Sequence, residues 1–284
     1  MIGAFIIVLR EVIEAGLIVG IVLAATRGVP GRAVYVSGGV LGGVAGAGVV
    51  ALFAGAIADA FAGSGQEILN AVVLILAVMM LAWHNAWMAR HGRELASQVK
   101  AVGQAVAAGS RPLAALAIVC GVAVLREGSE VVLFLYGIVA AGSSRSALLA
   151  GGLLGVAGGA VLTGLSYVGL LTIPARHIFK VTGILITFVA AGMAAQAVFY
   201  LDAAGVLTVL DAEVWDTSWL LSQTSMVGLM LHTLLGYNDQ PTAMQVIVYL
   251  ATIMGMVALM RYAAMPTAAE RRAKLAPAKV FGPE

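Results

Sequence analysis

Residues 3–26 read GAFIIVLREVIEAGLIVGIVLAAT, an apolar run that is interrupted near its centre by Arg10, Glu11 and Glu14. As a helix rising about 1.5 Å per residue, this run crosses the roughly 30 Å hydrocarbon core of a bilayer. It has no basic N-terminal region and contains three charges, so we interpret it as a permanent membrane helix rather than a cleaved signal. Charges inside a membrane segment are costly and therefore indicate function.

The whole chain has the same apolar character. Of its 284 residues, 61% are hydrophobic and 11% are charged, against roughly 25% charged residues in an ordinary soluble domain. The basic residues have no interleaved aromatic residues, so we expect no nucleic-acid partner. The single cysteine, Cys120, excludes an intrachain disulfide and any Cys-x-x-Cys motif. The expected solvent is the lipid bilayer.

Hydropathy predicts an all-α integral membrane protein with seven transmembrane helices. The predicted spans are 3–26, 34–58, 67–89, 113–141, 147–173, 178–201 and 242–262. The external loop 202–241 contains a partly apolar stretch, 217–237, which we interpret as a short re-entrant or interfacial element. The prediction is thus a single membrane domain, 1–262, followed by a cytoplasmic tail, 263–284.

The distribution of basic residues predicts the orientation. With the N-terminus outside, thirteen of the sixteen Lys and Arg residues fall in inner loops or the tail, whereas Arg145 lies outside. Retained positive charge accumulates on the cytoplasmic side of membrane proteins. The sequence therefore predicts an N-out, C-in topology.

A repeat divides the chain into two halves. The stretch REVIE at 10–14 returns as REGSE at 126–130, and each is followed by a glycine-rich segment, at 37–47 and 150–160. Three spans per unit is an odd number, so the units enter the membrane from opposite sides. This predicts an inverted 3+3 repeat plus a seventh helix, with repeat one at 1–90 and repeat two at 113–201. We interpret the glycines as positions of close helix packing.

The two Arg-Glu-x-x-Glu motifs predict a cation site. On a helix, each motif places its three charged residues on one flank. If the motif helices face each other, four carboxylates form an oxygen cage suited to a hard cation, and two arginines lower its formal charge from −4 to −2 as supporting ion pairs. The proposed ligands are Glu11, Glu14, Glu127 and Glu130, and the arginines are Arg10 and Arg126.

Other polar residues give weaker signals. Asp211, Glu213 and Asp216 form an acidic group in the external loop, which we interpret as a capture site for metal. We interpret His84 as a packed or interfacial residue in preference to an exit ligand, and we do not favour metal binding by His232.

Alternatives remain open on these residues alone. The carboxylates indicate a hard or borderline cation without identifying it, and Fe(II), Mn(II) and Pb(II) are among the candidates. A structural or assembly subunit would use the charges only as interhelical ion pairs. A membrane enzyme is disfavoured, because the chain contains no His-Glu-x-x-His, Gly-x-Ser-x-Gly or phosphate-binding glycine loop.

With Arg-Glu-x-x-Glu in its first and fourth predicted helices, the chain resembles the high-affinity ferric iron permeases of fungi and bacteria, also called oxidase-dependent iron transporters. The likeness extends to 215–219 (WDTSW) and 236–237 (GY). It implies import of Fe(III) across the cell (inner) membrane, with the motif glutamates as iron ligands. Iron is then the transported substrate, and no permanently bound cofactor is expected.

The resemblance also implies a separate extracytoplasmic partner that oxidises or delivers iron. In the family this is a multicopper oxidase in fungi, or a cupredoxin-like or haem peroxidase protein in many bacteria. The chain begins at its first predicted helix, so we expect such a partner to be another polypeptide. The short chain suggests a bacterial source.

Overall fold

The structure is a computed structural model that describes residues 1–60, 65–141, 144–169, 175–263 and 265. Within those residues the chain forms eight helices. They are α1 (Ile2–Ala25), α2 (Arg32–Ala60), α3 (Gln66–Ala107), α4 (Ala114–Ala140), α5 (Arg145–Val168), α6 (Ala175–Ala203), α7 (Met226–Leu235) and α8 (Ala243–Ala263).

Five of these helices are long and apolar enough to cross a membrane. The suitable segments lie in α2, α3, α5, α6 and α8. The motif helices α1 and α4 have similar lengths, 24 and 27 residues, but each contains three charged residues of its motif. The chain is therefore an all-α membrane protein, as predicted. The fifth predicted span ends at residues that the structure does not describe. The predicted tail also lies outside the described residues, apart from positions 263 and 265.

The third helix is much longer than predicted. The sequence suggested a loop after residue 89, but α3 continues to Ala107 and has 42 residues. That expectation was wrong because the extension is amphipathic. On one face of the extension, Val99 and Val106 are buried with Val22, Leu116 and Cys120. On the other face, charged residues are exposed, and these prompted the loop prediction. They include Arg90, Glu94 and Lys100.

The glycine-rich helices pack closely on the motif helices. α5 lies along α1, α2 lies along α4, and α3 packs on α6. A Cβ atom added at Gly155 would lie 2.8 Å from Val8 Cβ and 2.9 Å from the Phe5 carbonyl oxygen. One added at Gly43 would lie 2.7 Å from the carbonyl oxygen of Gly121. The interpretation as close-packing positions is confirmed at Gly43 and Gly155.

This packing leads to a paired prediction on α5. Gly155→Ala is expected to destabilise the protein by about 1–3 kcal/mol, because the methyl group must displace the α1 backbone. Gly152→Ala is the matched control, since nothing lies within 4 Å of its added Cβ and alanine favours a helix by roughly 1 kcal/mol over glycine. Equal midpoints of thermal unfolding for the two purified variants would contradict the close contact.

The chain between α6 and α8 folds into a compact segment. Its helix α7 has ten residues and falls inside the predicted short element. Gly236 ends α7 with φ at +68°, and an added Cβ there would lie 2.9 Å from the backbone nitrogen of Gly192 on α6. Thr217 donates its N–H to the Asp239 carbonyl (2.9 Å), and its hydroxyl lies 2.7 Å from the Tyr237 hydroxyl. These bonds join the WDTSW and GY stretches.

Candidate metal centre

The first motif lies on the buried side of α1. Arg10 is 3% exposed, and Glu11 and Glu14 are buried as well. The Arg10 guanidinium lies 2.9 Å from Glu11 Oε1 through Nη1 and 2.7 Å from Glu14 Oε1 through Nη2. One guanidinium therefore neutralises part of the charge of two carboxylates on its own helix, as i,i+4 spacing allows.

The second motif, on α4, is arranged less symmetrically. Arg126 Nε lies 3.2 Å from Glu130 Oε1 and 3.9 Å from Glu127 Oε1. Its guanidinium carbon also lies 4.4 Å from the ring centre of Trp87 on α3, a cation–π distance. The Arg126 side chain is 35% exposed. Arg126 is thus held at the edge of the cluster, whereas Arg10 is enclosed.

His84 of α3 lies between the two motifs. Its Nε2 atom is 3.3 Å from Glu14 Oε2 and 3.8 Å from Glu11 Oε2, while Nδ1 contacts Glu130 Oε2 on the opposite side. The side chain is 1% exposed. His84 is therefore a packed residue, as the sequence analysis favoured, rather than an interfacial one. The ring is buried among the motif carboxylates.

Four side chains approach closely enough to hold one ion. Ligand atoms of Glu11, His84, Glu127 and Glu130 all lie within 4.8 Å of one another. This is the single group of three or more His, Cys, Asp or Glu residues with such spacing in the part of the chain that the structure describes. Of the four glutamates predicted as ligands, three belong to the group. Glu14 lies beside it, in contact with both Arg10 and His84.

Two buried carboxylate oxygens of the cluster carry an electrostatic cost. Glu11 Oε2 and Glu127 Oε2 are buried, and no N–H or hydroxyl group of the described residues donates a hydrogen bond to them, so the two carboxyl groups have only each other as hydrogen-bond partners at these oxygens. An unsatisfied buried acceptor costs about 1–3 kcal/mol, and more when it is charged. With four glutamates and two arginines, the formal charge is −2 if His84 is neutral. Both features favour a bound cation.

A cavity of about 330 Å³ adjoins the cluster. Arg126 and Glu127 of the second motif line it, together with Gln98 of the α3 extension. The remaining lining residues are apolar: Ile18, Leu95, Val99, Val102, Ile118, Val119, Val122 and Ala123. The cluster is therefore buried but borders a largely apolar cavity.

The predicted external residues remain apart from this cluster. Asp211, Glu213 and Asp216 are exposed between α6 and α7. The Ser218 hydroxyl and N–H both donate to Asp216 Oδ1, at 2.6 and 2.9 Å, and hold the pKa of Asp216 below its ordinary value. His232 Nδ1 lies 2.7 Å from the Tyr237 carbonyl oxygen and serves the local fold. External capture of metal stays a prediction.

Comparisons with known proteins also indicate a metal-ion transporter. The model of the iron permease FTR1 family matches residues 1–274. A ferrous iron permease EfeU of Escherichia coli O6:H1 (strain CFT073) is 33% identical, and the alignment covers 86% of this chain and 90% of the relative. The ferrous iron permease EfeU of Shigella sonnei (strain Ss046) is 32% identical, with 93% and 96% covered. No solved structure gives a significant match.

Proposed function

Since the chain belongs to the iron permease FTR1 family, we propose that it imports iron across the cell (inner) membrane through the buried cluster of motif glutamates. The observation that carries this proposal is the convergence of Glu11, Glu127 and Glu130 with His84 inside an apolar helical protein. Ion pairs for packing alone would not require four glutamates against two arginines. This favours a transporter over a structural subunit or an enzyme.

The proposed topology has seven transmembrane helices, N-out and C-in, with α1 and α4 added to the five apolar spans. In this arrangement α7 is a re-entrant or interfacial element of the external segment. The reciprocal packing of α1 on α5 and α2 on α4 supports an inverted 3+3 repeat, because each motif helix then contacts the second helix of the other unit. Substrates of such transporters bind near the midplane between the repeats.

In the proposed transport cycle, the arginines hold the cluster together before the ion arrives. A cation entering from outside would compete with Arg10 for Glu11 and Glu14, and with Arg126 for Glu130. Because Arg126 is partly exposed and borders the cavity, we propose that its side chain yields first. With the N-terminus outside, this cavity lies on the cytoplasmic side of the cluster and is the proposed exit route.

The oxidation state of the iron is a separate question. The resemblance drawn from the motifs predicts Fe(III), while the relatives above are named ferrous iron permeases. A divalent ion would bring the formal charge of the cluster, −2, to zero, so Fe(II) is the second candidate. We further propose that a separate extracytoplasmic protein oxidises or delivers the iron, and that Asp211, Glu213 and Asp216 lie near its release point.

The decisive experiment is uptake into proteoliposomes containing the purified chain. We expect saturable uptake of radioactive iron, supplied either as Fe(II) with ascorbate or as Fe(III) citrate, with excess Mn(II) or Pb(II) as competitors. Imposing and then collapsing a proton gradient tests whether protons drive the transport. Liposomes without the protein are the control, and no uptake of either iron form would refute the permease function.

A further inference from the structure

We propose that His84 is a direct ligand of the transported ion and that its nitrogen makes the site selective for iron over harder divalent cations. The inference rests on the proposed iron transport. It adds a residue from outside both motifs, on a third helix. It also assigns a nitrogen donor to a site that the motifs alone define as all-oxygen.

The position of the ring is the first argument. Nε2 faces Glu14 and Glu11 of α1, and Nδ1 faces Glu130 of α4. A neutral imidazole has a single N–H group, so it can donate to the carboxylates on one side only. A histidine that binds a metal ion is neutral, and its second ring nitrogen usually donates its N–H to a carboxylate. His84 has carboxylates at both nitrogens, so one nitrogen can bind the ion while the other keeps a carboxylate partner.

The spacing is the second argument. Donor atoms about 2.1 Å from a metal ion are at most about 4.2 Å apart across it. The donor atoms of His84, Glu11, Glu127 and Glu130 all lie within 4.8 Å of one another. Small side-chain rotations therefore close the group around one ion. The ring is also 1% exposed, so bulk water does not compete for it.

The chemistry of the donor predicts the selectivity. Carboxylate oxygens suit magnesium, calcium and manganese, whereas imidazole suits iron, nickel, copper and zinc. A cage of glutamates alone would discriminate poorly between Fe(II) and Mn(II). One imidazole nitrogen shifts the preference towards iron, and His84 is placed to provide it.

The first test is X-ray absorption at the iron edge. The untagged full chain in nanodiscs is loaded with Fe(II) without oxygen, and the spectrum is inspected for the outer-shell scattering of an imidazole ring. We expect this signal in the wild type and in His91→Gln, and its loss in His84→Gln with iron still bound. His91 is the matched control because it lies on the same helix but stacks on Trp87.

The result does not depend on the folding of one variant. The chain has four histidines, so retention of the imidazole signal in His91→Gln, His177→Gln and His232→Gln assigns it to His84 even if His84→Gln does not fold. A wild-type spectrum with bound iron and only oxygen neighbours would overturn the role of His84 and leave the permease intact. Failure of the wild type to bind iron would overturn both proposals.

The second test measures selectivity, which a merely structural role would not alter. In proteoliposomes, His84→Gln is expected to lower the ratio of Fe(II) to Mn(II) uptake by at least roughly tenfold. Loss of an outer-shell partner of a metal ligand already has an effect of that size. His91→Gln should keep the wild-type ratio. Equal losses of Fe(II) and Mn(II) uptake in His84→Gln would refute selection by the imidazole.

Discussion

The Glu130→Gln variant is expected to take up iron much more slowly than the wild type. The loss should exceed the roughly tenfold effect that follows removal of an outer-shell partner of a metal ligand. Glutamine has nearly the same shape as glutamate, but it has no negative charge and one fewer acceptor oxygen. Glu130 contacts both His84 and Arg126, so the substitution removes charge at the junction of α3 and α4. The variant should retain its fold, which separates loss of transport from loss of structure.

The measurement is radioactive iron uptake by cells that lack their own iron importers, normalised to the amount of protein in the membrane. Glu67→Gln is the matched control, because Glu67 is an exposed carboxylate at the start of α3. Glu11→Gln and Glu127→Gln should behave like Glu130→Gln. Full uptake by a well-expressed Glu14→Gln/Glu130→Gln double variant would contradict the proposed site.

The Arg10→Met variant is expected to destabilise the protein by about 3–5 kcal/mol, the usual cost of leaving a buried charge without its partner. Arg10 pairs with both Glu11 and Glu14 and is 3% exposed, so its removal leaves two carboxylates repelling each other in an apolar interior. The loss is measured as the free energy of unfolding in mixed micelles or as a lower unfolding midpoint.

Arg126→Met is the comparison, and its effect should be smaller. Arg126 is 35% exposed, and partly solvated ion pairs contribute much less to stability than enclosed ones. Combining Arg10→Met with Glu14→Gln should recover part of the stability, because the second change removes one of the two stranded charges. Equal destabilisation by the two arginine substitutions would argue against the different burial of the motifs.

The motif residues could be found from the sequence because the cost of placing a charge in the membrane depends only on the apolar residues around it in the chain. A charge within an apolar run of twenty residues is visible without any knowledge of tertiary contacts, and helical spacing places Arg10, Glu11 and Glu14 on one flank. The glycines were equally readable, since small residues at helical spacing indicate close packing. The structure confirms close packing at Gly43 and Gly155.

His84 could not be identified in the same way. Its contacts are with Glu14, 70 residues away in the chain, and with Glu130 on α4, and a single histidine near the end of a predicted span is usually a packed or interfacial residue. The one available signal was that a polar ring occupied an otherwise apolar segment. Tertiary placement, which the sequence does not encode locally, brings His84 between the two motifs.

The α3 extension was missed for a different reason. Charges at Arg90, Glu94 and Lys100 end the hydropathy signal, and the membrane criterion then predicts a loop. A helical criterion would have found it, because apolar residues recur at three- or four-residue intervals. They are Leu95, Val99, Val102 and Val106.

The reciprocal packing of the glycine helices has a consequence for how the protein is made. α1 is synthesised first, but α5, which covers its glycine-facing side, begins about 120 residues later. At roughly 5–20 residues per second, the ribosome needs about 6–24 s to reach it. Until α3 brings His84 to these carboxylates, Arg10 must neutralise Glu11 and Glu14 within α1 alone. The ion pairs within the first motif therefore stabilise the charged helix α1 in the membrane until the helices that pack on it are inserted.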